Sequence, residues 1–254
     1  MSQPKTTVAV IIPALDEEES VGRVIDAVPR SLRADIIVVD NGSTDKTAEI
    51  AEAHGARVVR EPNRGYGAAC LAGLRLLSAS PHPEQSRGAG IAALDEAGVV
   101  VFLDADFSDD PAKLPELVEP ITRGEADLVI GSRMLGARER GALPFHSLFG
   151  NWLAGMILTH LYRQPATDLG PFRAIRRSTL EQLQMQDRGF GWTMEMQAKA
   201  ARLRARTVEI PVPYRRRIGR SKITGSLTAS VQAAAIILWT AFRLLRWRSR
   251  DPAR

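Results

Sequence analysis

The chain has 254 residues, of which 44% are apolar and 25% charged, and these proportions are typical of a folded globular protein rather than a disordered one. The formal net charge is +5, and Cys70 is the only cysteine, which excludes an internal disulfide and a thiolate metal cluster. The first residues lack the basic and apolar segments of a secretory signal, so we expect none there.

The first half of the chain alternates short apolar runs with segments of helical periodicity. The apolar runs predict buried strands of a parallel sheet at residues 8–12, 35–39, 57–60, 99–103 and 127–130. The periodic segments predict helices at 17–28, 45–53, 65–77 and from 111 to about 121, with Ser43 or Thr44 as the N-cap of the second. This alternation predicts an α/β fold with an open, mostly parallel sheet flanked by helices.

The second half contains two uncharged segments, Phe145–Tyr162 and residues 225–242, on either side of a predicted strand at 207–213. A membrane-spanning helix needs about 20 mostly apolar residues, and neither segment clearly meets that requirement. Both are interpreted as helices that lie at a membrane interface or pack on the core. Trp239 and Trp247 lie next to arginines, and this combination favours an amphipathic interfacial helix near the carboxyl terminus.

Basic residues concentrate in the carboxyl-terminal part of the chain, whereas the first half holds most of the acids. The basic residues are Arg202, Arg204, Arg206, Arg215, Arg216, Arg217, Arg220, Lys222, Arg243, Arg246, Arg248, Arg250 and Arg254. Such a region is typical of proteins whose partners carry phosphate, such as an anionic lipid, a lipid phosphate or a nucleotide. A basic face that contacts only solvent is the alternative. Nucleic acid is disfavoured as a partner, because the region lacks the aromatic residues of a nucleic-acid-binding motif.

Three acidic residues follow predicted strands directly. Asp40 ends one apolar run, and Asp104 and Asp106 follow another in the segment FLDAD. The carboxyl ends of parallel strands meet at one edge of a sheet, where ligands bind. Carboxylates at this place suit Mg²⁺ or Mn²⁺ held together with the diphosphate of a nucleotide. A solvated turn after a strand is the alternative interpretation.

Two further loops are candidates for contact with a nucleotide. The acids in IIPALDEEES, residues 11–20, could accept hydrogen bonds from ribose or a base, or could only stabilise a helix amino terminus. Gly65 and Gly67 in NRGYGA could let the backbone approach a ligand closely. The sequence contains neither a dinucleotide-binding glycine motif in its proper context nor a P-loop.

Seven segments together resemble glycosyltransferase family 2, in the branch of dolichyl-phosphate mannose synthases and polyprenyl-phosphate sugar transferases. They are IIPALDEEES at 11–20, VVDNGSTDKT at 38–47, NRGYGAA at 63–69, FLDADFSDDP at 102–111, LVIGSR at 128–133, DLGPFRAIRR at 168–177 and RIGRSKITG at 217–225. The resemblance covers nearly the whole chain in order. It implies a GT-A fold, a nucleotide-sugar donor, Mg²⁺ or Mn²⁺, and inversion at the anomeric carbon.

The resemblance also implies roles for individual residues. Asp40 would contact the nucleotide in a pocket lined by Pro13, Ala14 and Glu17, with Gly65 nearby. Asp104 and Asp106 would be the metal-binding pair, with Asp106 the better placed ligand. Arg133 would meet a phosphate of donor or acceptor. The residues that would close over the diphosphate or hold an acceptor phosphate are Arg217, Arg220, Ser221 and Lys222.

A hydroxyl acceptor needs a general base, whereas a phosphate acceptor is already anionic. The candidate bases are Glu195 and Asp168. Glu195 lies on a predicted helix, either in the site or at the exposed edge of the helix. Asp168 precedes a Leu-Gly-Pro turn, where it could equally cap the turn.

These observations predict an inverting, metal-dependent transferase that moves a hexose from a UDP- or GDP-sugar to a lipid-linked acceptor. Polyprenyl phosphate is the leading candidate for this acceptor. A hydroxyl acceptor in a glycolipid or polysaccharide is the alternative, followed by a sugar nucleotidyltransferase and by a non-enzymatic membrane-binding module. We expect a catalytic domain over 1–222 and a basic amphipathic helix and tail over 223–254. The expected location is the cytoplasmic, inner face of the cell membrane.

Overall fold

The computed structural model describes residues 7–79, 98–219 and 227–249, and the side chains of all of these except 79, 145–146 and 227–234. The strands within these ranges are β1 Val8–Ala14, β2 Asp35–Asp40, β3 Arg57–Arg60, β4 Val99–Phe102, β5 Leu128–Ser132, β6 Arg173–Arg176 and β7 Thr207–Pro211. The helices are α1 Val21–Ala27, α2 Thr47–Ala53, α3 Tyr66–Ala79, α4 Leu114–Thr122, α5 Phe145–Tyr162, α6 Arg177–Leu183, α7 Trp192–Leu203 and α8 Leu227–Arg243.

The seven strands form one sheet in the order β3-β2-β1-β4-β6-β5-β7. β1 is parallel to β2 and β4, β2 to β3, and β5 to β7, whereas β6 runs antiparallel to both β4 and β5. The carboxyl ends of the parallel strands therefore share one edge with the amino-terminal end of β6. The predicted open, mostly parallel sheet is confirmed.

Two apolar layers cover the two faces of the sheet, because alternate residues of a strand point to opposite faces. In β1, Val8, Val10 and Ile12 pack with α1 and α4, while Ala9 and Ile11 pack with α3 and residues of α6 and α7. Since both faces are covered, the central strands β1 and β4 are continuously apolar, as the sequence indicated.

A third apolar cluster joins α5, α7 and α8. It includes Leu158, Met194 and Ala241, and the Tyr162 hydroxyl donates a hydrogen bond to the carbonyl of Ala241. The cluster attaches α8 to the body of the molecule. None of the helices in the described part of the chain combines the length and the hydropathy that a bilayer crossing requires.

Helix α1 begins at Val21, not at residue 17, and the expected N-caps Ser43 and Thr44 act elsewhere. The Ser43 hydroxyl accepts a hydrogen bond from the Asp16 N–H at 3.0 Å, and the Thr44 N–H donates to the Asp16 carboxylate at 2.7 Å. Asp16 itself has a φ of 48°, a left-handed conformation that Asp tolerates better than most residues. These contacts hold the loops after β1 and β2 together, which a local capping rule does not consider.

Strand β6 was not predicted from the sequence, because its residues RAIR begin and end with arginine. Arg173 is fully buried, and its guanidinium donates to the carbonyls of Leu169, Gly170 and Thr193 at 3.1 Å in each case. Burial lowers the Arg173 pKa to about 10, although the charge of Tyr66 and Asp168 opposes this shift. Backbone carbonyls therefore satisfy a side chain that sequence rules assign to the surface.

Gly67→Ala tests the close packing at the start of α3. A Cβ at this position would meet the backbone carbonyl of Asp187, which cannot move as a side-chain end can. We expect the free energy of unfolding to fall by about 1–3 kcal/mol, measured by chemical denaturation. Gly150→Ala on α5 is the matched control, because nothing lies within 4 Å of its Cβ. It should stabilise by about 0.5–1 kcal/mol, and the same gain in Gly67→Ala would contradict the packing argument.

Candidate active site

Asp104 and Asp106 lie at the carboxyl end of β4, on the edge where the parallel strands end. One Asp106 oxygen accepts hydrogen bonds from the Ser108 N–H at 2.9 Å and the Ser108 hydroxyl at 2.6 Å. Asp104 keeps a buried carboxylate oxygen without a partner among the described residues. Burial, together with the negative charge of Asp106, raises the Asp104 pKa to about 7. The pair therefore retains oxygen atoms that a cation could satisfy.

The segment that follows β7, residues 212–219, runs alongside the loop after β4. The Arg215 N–H donates to the Ser108 carbonyl, and the Ile218 N–H donates to the Asp106 carbonyl, each at 2.9 Å. This places the Arg217 guanidinium 2.6 Å from the Glu17 carboxylate and 3.4 Å from the Asp106 carboxylate. Arg217 thereby joins the loop after β1 to the predicted metal pair.

The predicted nucleotide pocket lies at the ends of β1 and β2. Ala14 is paired in register with Asp40, and the Asp40 carboxylate accepts a hydrogen bond from the Ser43 N–H at 2.9 Å. Glu17 is mostly buried, and its N–H donates to the Thr47 hydroxyl at 2.8 Å. Pro13 lies between Ile12 and Ala14 at the end of β1, half-buried. The fold thus brings these predicted residues to one edge.

Gly65 approaches protein rather than open space. A Cβ on Gly65 would meet the Arg188 carbonyl, and its φ of 147° is one that L side chains rarely adopt. Asn41 was not predicted, but its side chain donates to the carbonyls of Glu61 and Asn63 and accepts from the Gly65 N–H at 2.8 Å. The position of Asn41 directly after Asp40, at a strand end, was the signal that could have identified it.

Arg133 follows β5, and Asp168 precedes β6, so the antiparallel strand brings the two together. Arg133 donates three hydrogen bonds to the Asp168 carboxylate: from its backbone N–H and Nε at 2.8 Å and from Nη2 at 2.7 Å. Its guanidinium also lies 5.1 Å from the centre of the Tyr214 ring. Burial alone would raise the Asp168 pKa, but the charge and hydrogen bonds of Arg133 outweigh burial and lower it.

Glu195 is neither an open site residue nor the exposed edge of a helix, the two positions expected from the sequence. It is 1% exposed, and its carboxylate lies 2.7 Å from the Lys199 ammonium. It also accepts hydrogen bonds from the backbone N–H groups of Gln186 and Asp187 at 2.7–3.1 Å. Its contacts are those of a residue that holds the 186–189 loop in place.

Asp109 is a further carboxylic acid at this edge of the sheet, and it was not predicted from the sequence. It is 1% exposed, and neither oxygen has a hydrogen-bond partner among the described residues. Burial raises the Asp109 pKa well above its usual value. The positive charge of Arg133 opposes this shift, and the negative charges of Asp104 and Asp106 add to it. Its place three residues after Asp106, in the same acidic segment, was the available signal.

The oxygen atoms of Asp104 and Asp106 fit the requirements of a divalent cation that also binds a diphosphate. Mg²⁺ and Mn²⁺ prefer a few carboxylate ligands and fill the remaining positions with water or phosphate oxygens. In the described ranges, no group of three or more His, Cys, Asp or Glu side chains is arranged to hold a metal alone. The predicted residues Arg220, Ser221 and Lys222 lie outside the described residues.

Comparison with protein families agrees with this geometry. Residues 9–184 match the family model described as glycosyl transferase family 2. The chain belongs to this family. Membership makes it a glycosyltransferase enzyme, in place of the nucleotidyltransferase and the non-enzymatic binding module considered as alternatives.

Two curated relatives are similar over most of their length. An uncharacterized glycosyltransferase of Mycobacterium tuberculosis is 39% identical over 227 residues, which cover 89% of this chain and 94% of the relative. An undecaprenyl-phosphate mannosyltransferase of Micrococcus luteus is 32% identical over 235 residues, covering 87% and 88%. The predicted branch of the family is thereby confirmed.

A solved structure shares the architecture. Glucosyl-3-phosphoglycerate synthase of Mycobacterium tuberculosis, crystallised with Mn²⁺, UDP and glucosyl-3-phosphoglycerate, superposes with a TM-score of 0.67 and 26% identity. The alignment covers 93% of this chain and 80% of that chain. The likeness and the sheet order with its antiparallel strand confirm the predicted GT-A fold.

Asp168→Asn should lower the free energy of unfolding by about 3–5 kcal/mol, because it leaves the buried Arg133 guanidinium without its counter-charge. The ionised Asp168 has a lowered pKa, so its contribution is present above the unfolded pKa of about 3.9 and is lost as pH falls through the folded value. Denaturation at pH 7 and at acid pH measures both effects.

The control is Glu181→Gln, which removes an exposed partner of Arg177 and should cost less than about 1 kcal/mol. Equal, small losses in the two variants would contradict the structural role of the Arg133–Asp168 pair.

Proposed function

We propose that this glycosyltransferase moves a hexose, with inversion, from a UDP- or GDP-sugar to a polyprenyl phosphate at a membrane surface, with Mg²⁺ or Mn²⁺. Two observations together carry the proposal. The carboxylate pair Asp104 and Asp106 suits a metal–diphosphate complex, and both candidate bases form ion pairs with buried cations. The mannosyltransferase relative from Micrococcus luteus supports the same acceptor class.

The donor side follows from the order of the strands. The ends of β1 and β2 carry Glu17 and Asp40, and the next strand in the sheet, β4, carries Asp104 and Asp106. A nucleoside lying over β1 and β2 would place its diphosphate at the end of β4. Arg217, which contacts Glu17 and Asp106, is then close enough to exchange these carboxylates for phosphate oxygens.

Asp104 and Asp106 would hold the divalent cation. A bound cation supplies charge neutralisation for the departing nucleoside diphosphate. Ser108 orients the Asp106 carboxylate through its N–H and hydroxyl, so that one oxygen is fixed while the other faces the site. Arg217 supplies a second positive charge on the same side.

Neither of the two carboxylates that the sequence suggested as a general base is free to accept a proton from the acceptor. Asp168 receives three hydrogen bonds from Arg133, and Glu195 is paired with Lys199 and with backbone N–H groups. Accepting a proton would cost each residue its buried ion pair. An acceptor that is already anionic, such as a phosphate monoester, needs no such transfer.

In the proposed reaction, a phosphate oxygen of the acceptor attacks the anomeric carbon from the face opposite the diphosphate. The bond from that carbon to the diphosphate oxygen breaks, and the nucleoside diphosphate leaves with the electron pair. The new glycosyl–phosphate bond has inverted configuration. The chain's residues position the two phosphates and stabilise the negative charge that moves from one to the other.

An exposed apolar face on α5 and α8 supports the proposed membrane surface. Its residues are Phe149, Trp152 and Met156 on α5 and Ile236, Trp239 and Phe242 on α8. The two helices pack together. Exposed arginines lie at the end of α8 and directly after it: Arg243, Arg246 and Arg248. Aromatic residues next to cations are typical of proteins that rest at a lipid interface with anionic headgroups.

Release of UDP or GDP from a panel of nucleotide sugars tests the proposal. We expect metal-dependent release that rises on addition of polyprenyl phosphate. Asp106→Asn should reduce the rate at least about a hundredfold, because the variant removes one charge of the metal pair. Asp26→Asn is the control; its carboxylate is 64% exposed near the end of α1 and contacts His54, which follows α2.

Stimulation by a hydroxyl acceptor, such as phosphoglyceric acid or a glycolipid, in place of polyprenyl phosphate would contradict the acceptor class. Full activity of Asp106→Asn would contradict the metal pair.

Trp152→Ser and Trp239→Ser test the membrane surface. These side chains are 57% and 68% exposed, so the changes should leave the fold intact. Binding to vesicles containing phosphatidylglycerol should weaken about tenfold or more, because each tryptophan loses a buried apolar contact with lipid. Val208→Thr, at an exposed valine on the edge strand β7, is the control. Equal vesicle binding by all variants would contradict this surface.

A further inference from the structure

The carboxyl group of Asp109 is a buried polar group without a hydrogen-bond partner among the described residues. It is 1% exposed, and both of its oxygens lack a hydrogen bond within the described ranges. Buried polar groups are almost always hydrogen-bonded, and each exception needs an explanation, such as a ligand. The neighbouring Asp110 differs, because its carboxylate lies 2.9 Å from Arg215.

The surroundings of Asp109 place it on the far side of the metal pair from the nucleotide pocket. Its backbone forms a bridge with Tyr214, and the Tyr214 ring lies under the Arg133 guanidinium. Arg133 follows β5 and Tyr214 follows β7, whereas Asp40 and Glu17 lie at β2 and β1. In the sheet, β4 separates these two groups.

The direction of the donor follows from this order. If the nucleoside lies over β2 and β1 and the diphosphate lies at β4, the group beyond the diphosphate extends over β6 and β5, about 5–10 Å further along the sheet. In a nucleotide sugar, that group is the hexose. Asp109 lies in the region that the hexose would reach.

The charges around Asp109 restrict what can bind to it. The negative charges of Asp104, Asp106 and Asp168 lie close enough to Asp109 to disfavour a further negative charge there. The nearby cation Arg133 already forms an ion pair with Asp168. A phosphate would be repelled there, so the acceptor phosphate does not suit this place. A metal shared with Asp104 and Asp106 is also disfavoured, because these acids form no three-carboxylate cluster in the described part of the chain. Hydroxyl groups, which donate hydrogen bonds without adding charge, fit.

We infer that Asp109 binds a hydroxyl group of the donor hexose and so contributes to the choice of sugar. The inference rests on the proposed function, since it requires a nucleotide-sugar donor. A site that hydrogen-bonds a hydroxyl discriminates strongly against analogues that lack it, because the buried partner is then left unpaired.

The experiment compares binding of a nucleoside diphosphate with binding of its hexose derivative, both with Mn²⁺, by calorimetry. In Asp109→Ala, the Kd for UDP or GDP should change less than about twofold. The Kd for the matching nucleotide hexose should rise about tenfold to hundredfold. Asp109→Asn, which keeps an acceptor oxygen, should lose about threefold to tenfold and serves if the alanine variant fails to fold. Asp110→Asn is the control and should bind both ligands as the wild type does.

Donors that lack single hydroxyl groups identify the contact. One deoxy donor should bind the wild type about as weakly as the full donor binds Asp109→Ala, and the variant should not distinguish the two. The melting temperature of Asp109→Ala should be unchanged or higher, because the substitution removes an unpaired buried carboxyl group.

Three outcomes would overturn the inference. Equal weakening of nucleoside diphosphate and nucleotide hexose would make Asp109 a structural residue. Weaker Mn²⁺ binding would make it a metal ligand. A loss of kcat with unchanged donor affinity would assign it to proton transfer. Failure of the wild type to bind any nucleotide hexose would instead overturn the proposed function, so the two failures are distinguishable.

Discussion

The crowding of negative charge at one edge of the sheet is the constraint on which the site depends. Asp106, Asp109 and Asp168 are buried there, and Asp104 beside them is half-buried. Arg133 contacts Asp168, and Arg217 contacts Asp106. Uncompensated carboxylates in such an environment resist ionisation, which explains the raised pKa of Asp104 and Asp109. An arrangement of this kind favours ligands that bring positive charge or donate hydrogen bonds, as a metal-bound nucleotide sugar does.

The two arginines that neutralise these carboxylates differ in how firmly they are held. Arg133 donates three hydrogen bonds to the Asp168 carboxylate and lies against Tyr214, so its position is fixed by the fold. Arg217 lies on a loop and shares its contacts between Glu17 and Asp106, and it is partly exposed. Arg133 is therefore a fixed counter-charge for Asp168, whereas Arg217 is the cation next to the proposed metal pair, and we propose that it exchanges its contacts for those of a ligand.

The loop at 186–189 connects the site to the surface that we propose meets the membrane. Glu195 holds this loop through the N–H groups of Gln186 and Asp187, and carbonyls of the loop accept hydrogen bonds from the start of α3 next to Gly65. Asp187 also contacts Thr240 of α8 at 3.5 Å. The start of α3 and helix α8 therefore both contact the 186–189 loop.

The sequence by itself determined the α/β class, most strands, and the carboxylates at the strand ends, because these follow from local hydrophobic periodicity and from the rule that ligands bind where parallel strands end. Its ordered motifs also determined the family. Only the tertiary structure decided that Asp168 and Glu195 are held by Arg133 and Lys199, and that Gly65 packs against the Arg188 carbonyl. It also decided that β6 enters the sheet antiparallel and that neither Asp109 oxygen has a hydrogen-bond partner in the part of the chain that the structure describes. The physical reason is that ion pairing and burial depend on which distant segments meet, whereas periodicity reports only the surroundings of each residue along its own strand or helix.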